Sequence, residues 1–186
     1  MPHYLIPTHH LKTGSRLYEV KIKDRQFDPE SLKGVDFLDT QFTSCIFTGQ
    51  KLRFTSFKYC HFKHCDLSNA LLDGVRFESC VFEDSKLNWI NFVDTVIKNC
   101  RFTDSLLEAV TFDGNDLTSS NFESLDFKSC KLDQCVFYKS DLSKANLSTS
   151  TTTGATFDES RLKGCLVNLN SIIDFGLSKG FVLKVE

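Results

Sequence analysis

A period of five residues runs through most of this sequence. In steps of five from Phe27 to Val167, every position is apolar except Thr152, and no insertion or deletion interrupts the count. Of these 29 positions, 15 are Phe and 11 are Leu. Leu17 and Ile22 fall in the same register, so the pattern can begin earlier. A repeat of this length restricts the fold more than any other feature of the chain.

A five-residue period fits neither an α-helix nor a flat strand. On a helix each step rotates the side chain by about 140°, so the apolar row would spiral around the surface. On a flat strand an odd step alternates between the two faces. A coil that turns a corner every five residues keeps all the large residues inside. Four such faces close one turn, and successive turns stack as parallel strands. The sequence therefore predicts an all-β, quadrilateral parallel β-helix.

The position two residues before each large residue is usually small or carries a thiol, and all eight cysteines lie in this register. We expect these cysteines to point inward as reduced, compact core residues. Cys60, Cys80 and Cys100 are twenty residues apart and should stack on one wall. Parallel side chains in a packed ladder are poorly aimed for disulfides.

The string from Cys60 to Cys65 contains two cysteines and two histidines, which is a ligand set that zinc favours. In the repeat register, however, Cys60 and Cys65 point inward while His61 and His64 point outward, so the four groups do not converge. The sequence contains no Gly-rich phosphate loop, nucleophile elbow or His-Glu-x-x-His motif. We expect no metal, no cofactor and no enzyme activity, and zinc-dependent chemistry at Cys60–Cys65 stays a third hypothesis.

Composition excludes several classes of protein. The net charge is −2, which argues against a globally basic protein that binds nucleic acid directly. The mean hydropathy is −0.18 and no long apolar run is present, which argues against a membrane protein. The first residues lack the pattern of a secretory signal. A cytoplasmic location is the expectation.

The phrases Cys45-Ile46-Phe47, Cys60-His61-Phe62 and Ala145-Asn146-Leu147 resemble the pentapeptide-repeat proteins. That resemblance implies a right-handed quadrilateral β-helix. We expect an N-terminal cap segment at 1–26, in which the alternating run 17–23 can pair onto the first turn. The repeats are expected at 27–167 and a C-terminal helix and strand at 168–186.

Acidic residues are concentrated in the middle of the chain. Residues 73–126, called here the acidic block, contain 11 acidic and 4 basic side chains. The position of each residue in the twenty-residue turn predicts one row on one wall (Asp73, Asp94, Asp113 and Asp133) and a second row on the next (Glu83, Asp84, Asp104 and Glu123). Stacked carboxylates repel one another, which suggests a positively charged partner; simple solvation of the rod is the alternative. The candidate partner-binding residues are Asp73, Glu78, Glu83, Asp84, Asp94, Asp104, Asp113, Glu123 and the outward Trp89.

The C-terminal segment predicts a short helix. It is expected to begin near Asn170 or Ser171 and to end at Gly180. A strand is expected over 181–185. The helix is apolar on more than one side, so a second copy of the chain can cover what the last turn does not. The candidate dimer-interface residues are Ile172, Ile173, Phe175, Leu177, Phe181 and Leu183.

This ending resembles the C-terminal dimerisation module of the Qnr and mycobacterial MfpA-like branch of the family. The resemblance implies a homodimer that binds DNA gyrase or topoisomerase IV, imitates duplex DNA with surface carboxylates, and protects the enzyme from quinolones or natural gyrase poisons. The unbroken register leaves no room for the protruding loops of many Qnr proteins. The alternative function is an interaction scaffold or effector rod that binds an unrelated protein through Trp89, Phe54 or the basic turns near Lys51, Arg53, Lys58 and Lys63.

Overall fold

The computed structural model describes residues 11–27, 32–182 and 184. In these ranges the chain forms twelve short strands and one helix. They are β1 (Arg16–Tyr18), β2 (Lys21–Lys23), β3 (Asp36–Leu38), β4 (Gln41–Thr43), β5 (Ser56–Lys58), β6 (His61–Lys63), β7 (Arg76–Glu78), β8 (Val81–Glu83), β9 (Val96–Lys98), β10 (Arg101–Thr103), β11 (Leu107–Glu108), β12 (Phe127–Lys128) and α1 (Leu169–Ser178).

The strands form the faces of a four-sided parallel solenoid. The first face is the sheet β1-β3-β5-β7-β9, and the second face is the sheet of β2, β4, β6, β8 and β10. All pairs are parallel and join residues twenty apart, such as Phe37 and Phe57. The third face contains β11 and β12 and the bridges that lead from Gln26 to Leu166. The fourth face consists of a continuous row of bridges that runs through Lys51, Leu71, Asn91, Thr111, Lys131 and Thr151. The predicted quadrilateral β-helix is therefore confirmed.

Phenylalanine fills the interior in stacked columns. On the second face the rings of Phe42, Phe62, Phe82, Phe102 and Phe122 follow one another with centroids 4.8 to 5.2 Å apart and nearly parallel planes. Rings on adjoining faces meet edge to face, which is the arrangement that aromatic pairs prefer. The five-residue spacing thus brings the large residues into one continuous core, except Leu162 and Val167 in the last turn, which are exposed.

The backbone conformation at the corners explains which residue types follow each large position. The residue two places after it has a positive φ at almost every described corner, for example Asp94 (φ 61°) and Asp104 (φ 50°). Left-handed backbone suits Gly, Asn and Asp, and six glycines of the chain occupy this position. Aromatic residues there are exceptional, and two of them, Phe54 and Trp89, are considered below.

The small inward position supplies hydrogen bonds as well as volume. Its side chain donates to the carbonyl of the large residue one turn earlier: Cys60 Sγ lies 3.5 Å from the Phe37 carbonyl oxygen, and Ser85 Oγ lies 3.1 Å from that of Phe62. Burial raises the pKa of Cys130 and of Cys135 to about 12, which keeps these thiols protonated as donors. All eight cysteines are free thiols, as expected, although Cys165 is only half-buried.

The C-terminal helix covers part of the last turn. It begins earlier than expected, because Asn168 caps it: Asn168 Oδ1 accepts from the Ser171 amide at 2.9 Å. Gly180 ends it with φ 85°, as predicted. Thr152, the one polar residue in the Phe/Leu register, is buried and donates to Ser171 Oγ at 2.7 Å. Thr152 therefore fixes the helix to the last turn.

The first described residues continue the repeat, whereas the residues after the helix do not. Residues 16–18 and 21–23 pair with β3 and β4, in line with Leu17 and Ile22 sharing the register. The strand expected over 181–185 is wrong for Phe181 and Val182, which pair with no strand in the described ranges. Residues 1–10, 28–31, Leu183 and 185–186 lie outside the described residues. No helix in the described ranges is long and apolar enough to cross a bilayer.

Candidate functional site

The two predicted acidic rows lie on opposite faces of the solenoid, not on neighbouring ones. Asp73 and Asp113 extend from the fourth face, and Asp94 stands at its corner. Glu83 is the last residue of β8 on the second face. The chain passes from the second face through the third to the fourth, so the rows are two repeats apart and half a turn separates them. A single flat partner cannot contact both rows at once.

Four of the candidate carboxylates lie beside a nitrogen-bearing side chain of the preceding turn, and three of them form ion pairs with Arg or Lys. Asp73 Oδ2 lies 2.7 Å from Arg53 Nε, and Glu78 Oε2 lies 3.5 Å from Lys58 Nζ. Glu83 is paired in the same way with Lys63, and Asp84 lies beside His64. These ladders link successive turns, so this part of the acidic block contributes to folding. We call Asp73, Glu78, Glu83 and Asp84 the paired carboxylates.

Glu83 has the closest contacts of the four. Its Oε1 lies 2.6 Å from Lys63 Nζ, and its Oε2 lies 2.9 Å from His61 Nε2. The hydrogen bond from the Lys63 ammonium, with a smaller contribution from His61, holds the pKa of Glu83 below its ordinary value. The same contact raises the pKa of Lys63. Both groups are exposed enough for solvent to weaken their attraction.

Three other candidates have no such partners. Asp94, Asp104 and Glu123 are exposed, and in the described part of the chain their side chains form no ion pair or hydrogen bond. We call these three the unpaired carboxylates. Asp113 is intermediate, since its Oδ1 accepts from the Asp133 amide at 3.2 Å. Because their charges stabilise no part of the described fold, the unpaired carboxylates are free to contact another molecule.

Trp89 points outward, as predicted, at the corner that ends the third face. Its side chain is 57% exposed, and its φ is 56°. Phe54 stands at the corner of the fourth face and is 68% exposed. Trp89 lies five residues before Asp94, and Phe54 lies at the same corner as Asp94, two turns earlier.

The C-terminal helix leaves apolar side chains uncovered. Ile172 and Phe175 face the last turn across a cavity of about 160 Å³ that Phe157 and Leu162 also line. Away from that turn, Ile173, Leu177 and Phe181 line a second hollow of about 200 Å³. Leu177 is 50% exposed and Phe181 is 71% exposed. Five of the six predicted dimer-interface residues thus share one end of the rod; Leu183 lies outside the described residues.

The string from Cys60 to Cys65 does not form a convergent ligand set. Cys60 and Cys65 are buried in the core, whereas His61 and His64 face outward and contact Glu83 and Asp84. Within the described ranges, no cluster of three or more His, Cys, Asp or Glu side chains is placed to hold a metal ion.

A four-sided parallel solenoid built on a five-residue period defines a class of repeat protein. A sequence profile described as "Pentapeptide repeat region" matches residues 55–126, and one described as "Pentapeptide repeats (8 copies)" matches 120–157 and 130–167. Together they span more than half of the sequence. The chain belongs to the pentapeptide-repeat family.

Solved structures with a similar fold come from proteins with different roles. A trypsin-treated form of QnrB1, a plasmid-mediated fluoroquinolone resistance protein, is 20% identical with a TM-score of 0.48, covering 92% of this chain and 100% of that one. Full-length QnrB1 is 15% identical with a TM-score of 0.42, covering 90% and 100%. HetL, involved in heterocyst differentiation regulation in the cyanobacterium Nostoc, is 16% identical with a TM-score of 0.32, covering 82% and 86%. No curated protein sequence matches significantly.

Proposed function

We propose that this chain is a non-enzymatic, DNA-mimicking protein that binds DNA gyrase or topoisomerase IV and protects it from quinolones or natural gyrase poisons. The observation that carries the proposal is the presence of exposed, unpaired carboxylates on two opposite edges of a rigid rod. The proposal also draws on the family resemblance of the C-terminal segment. Its expected setting is the cytoplasm, and it requires no cofactor.

The physical argument concerns where the charges lie. Duplex DNA presents phosphates along two strands on either side of its axis, and a protein groove that holds it is lined with Lys and Arg. Asp94 on one edge and Asp104 and Glu123 on the opposite edge offer negative charge in two directions. A groove that surrounds the rod can contact both edges, and complementary charge accelerates association.

The same proposal includes a homodimer formed through the C-terminal segment, residues 168–186. The apolar side chains that line the second hollow (Ile172, Ile173, Leu177 and Phe181) need a cover, and a second copy of the same surface supplies one by two-fold symmetry. A dimer of this kind joins two rods end to end. It doubles the length over which carboxylates can contact a topoisomerase.

The first experiment is DNA supercoiling by purified gyrase, with and without ciprofloxacin, across a titration of this protein. Restored supercoiling in the presence of the drug, or inhibition at higher protein concentration, supports the proposal. If neither gyrase nor topoisomerase IV responds to folded protein, the proposal is wrong.

Matched variants localise the effect. Asp94→Lys with Asp104→Lys changes two unpaired carboxylates in the acidic block, and we expect at least about a tenfold higher concentration for the same effect. Glu19→Lys with Asp39→Lys is the control, because these residues also occupy left-handed corners and change the net charge equally. Lys is acceptable at such corners, as Lys139 and Lys144 show. Equal loss in both pairs would mean that only total charge matters.

The dimer is tested separately by analytical ultracentrifugation. Leu177→Asp places a charge in the second hollow without touching the first cavity, so it should yield monomers that keep the fold. Ile173→Asp and Phe175→Asp should act in the same direction. Leu106→Asp, at a similarly exposed apolar residue on the third face, is the control and should leave the dimer intact.

A further inference from the structure

Exposed apolar side chains are concentrated on one half of the solenoid surface. Between residues 32 and 161, all the large exposed hydrophobic side chains except Tyr59 and Val136 lie on the third or fourth face or at their corners. The two faces that carry the five-stranded sheets present charged ladders instead. The apolar set comprises Ile46, Phe54, Leu71, Trp89, Val93 and Leu106.

Two members of this set occupy backbone positions that disfavour them. Phe54 has φ 58° and Trp89 has φ 56°, in the left-handed region where a bulky side chain is strained. Neither residue gains burial in return, since they are 68% and 57% exposed. Tyr59 has the same backbone conformation and exposure on the first face, so what distinguishes Phe54 and Trp89 is their position at the two corners that flank the fourth face.

Phe54 is held in place by the turn above it. A Cβ atom added to Gly74 would lie 2.8 Å from Phe54 Cδ1, so the ring rests against the glycine backbone. One turn further, at the same corner, stands the unpaired Asp94. An aromatic ring and a free carboxylate are thus fixed at the same corner, two turns apart, with Gly74 between them.

The fourth face lies between the corners that hold Trp89 and Phe54. Leu71 is a bridge residue of this face and is 46% exposed, and Val93 is 38% exposed. We define Phe54, Leu71, Trp89 and Val93 as the aromatic patch. Its acidic border is formed by Asp94 and Asp113 at the end of the fourth face.

We infer that the aromatic patch binds a segment of a partner protein in which apolar side chains alternate with Arg or Lys. The apolar side chains bury Leu71 and Val93, and a cationic side chain reaches Asp94 while lying over an aromatic ring. A cation over an aromatic face is attracted by the ring electrons, and Trp is the strongest such partner. Trp and Arg are also the residues most enriched at binding hot spots. This inference holds for any such partner and does not depend on a topoisomerase.

The chain contains a probe at this site, because Trp89 is its single tryptophan. The experiment titrates the full protein with a short synthetic peptide of alternating Leu and Arg, following Trp89 fluorescence. We expect a saturable blue shift and weaker acrylamide quenching. Two matched peptides, one with Glu for Arg and one with Ser for Leu, should bind at least about tenfold more weakly, since each removes one of the two contacts.

Variants identify the contact residues while the Trp89 signal is kept. Phe54→Asn should weaken binding at least about tenfold, and Asn adopts the left-handed corner without strain. Asp94→Asn should weaken binding and reduce its dependence on salt. Tyr59→Asn is the control, because Tyr59 is also aromatic, exposed and left-handed but belongs to the first face. Thermal unfolding checks that all three variants keep the fold.

Several outcomes would overturn the inference. They are the absence of a saturable shift up to about 1 mM peptide, the weak end of specific binding; equal binding of the Glu or Ser peptide; and an unchanged affinity in Phe54→Asn. A Trp89 shift that depends on protein concentration without peptide would instead assign the patch to a second copy of the chain. Each result is independent of the supercoiling assay.

Discussion

The candidate carboxylates in the N-terminal (lower) and C-terminal (upper) parts of the acidic block have opposite surroundings, although Glu108 and Asp116 in the upper part are paired with lysines. In the lower part, Asp73, Glu78 and Glu83 each lie one turn above an Arg or Lys and form ion pairs, and Asp84 lies beside His64. In the upper part, the residues twenty positions before Asp94, Asp104 and Glu123 are Gly74, Asp84 and Thr103. In a solenoid, the role of a surface charge is therefore decided by the residue one turn away rather than by local composition.

The difference separates folding from binding. An ion pair between turns contributes a little to stability and leaves little charge for a partner. Asp104 stacked above Asp84 gains nothing from the fold, and like charges directly opposite each other are destabilising. Carboxylates retained at such positions are the better candidates for contact with another molecule.

Substitutions in the core should have the largest effect on stability. The loss should be the same beneath the lower and the upper part of the acidic block. Phe82 lies behind the paired carboxylates and Phe102 behind the unpaired ones, and their rings stack at 4.8 Å. Phe82→Ala and Phe102→Ala should each lower the free energy of unfolding by about 3–5 kcal/mol. Denaturant titration followed by two spectroscopic probes measures this. If the two variants lost clearly different free energies of unfolding, the two parts of the acidic block would differ in their core packing as well as in their surface charges.

Charge reversal should separate the two parts at the surface. Glu83→Lys brings a second ammonium beside Lys63 and His61, so it should lower the melting temperature by about 3 °C. Glu123→Lys, two turns further on the same face, should change it by less than about 1 °C. Circular dichroism melts compare the two. Adding Lys63→Glu to Glu83→Lys should restore the loss; without that recovery, the Lys63 contact is not the cause.

Neutralisation should give the smallest effect, with a defined pH range. A carboxylate with a lowered pKa in the folded protein stabilises the fold above its unfolded pKa, and this benefit is lost as the pH falls through the folded pKa. Lys63, with a raised pKa, stabilises below its unfolded pKa and loses that benefit at high pH.

Glu83→Gln should therefore melt about 1–2 °C below the unchanged protein between roughly pH 5 and pH 10, and the difference should vanish in more acidic solution. Glu123→Gln is the control and should show no such window. A Glu83→Gln deficit that persists in acid would point to lost packing rather than lost charge. Melts across a pH series distinguish these outcomes.

The five-residue register predicted the fold because the large positions face inward in every turn before the last, where Leu162 and Val167 are exposed. The ion pairs could also have been found in the sequence, since Arg53 and Lys63 stand twenty residues before Asp73 and Glu83. The placement of the acidic rows on neighbouring faces was wrong because residues ten apart are two faces apart.

Other features needed three-dimensional structure. The hydrogen bonds of the small inward position join residues 23 apart, a separation that follows from the path of the chain around one turn. Gln50, Thr55 and Asn115 occupy the same small inward position and also donate hydrogen bonds to carbonyl oxygens. Polar residues at this position are therefore compatible with the buried core. In the sequence, Thr152 interrupts the apolar register. The structure explains this residue, because its hydroxyl contacts Ser171 in the helix that covers the last turn.

Each turn of the solenoid contains twenty residues, so the number of a residue specifies both its turn and its face. Adding twenty residues to the chain would move everything after them along the axis by one strand spacing, about 4.8 Å, and leave every face where it was. Adding five would rotate the remainder by a quarter of a turn. A solenoid of this kind can therefore lengthen by duplication while its surfaces stay aligned, whereas a single extra repeat would turn the second-face carboxylates onto the third face. Such a chain can change its length through insertions of twenty residues, and the direction in which its later surfaces face through insertions of five.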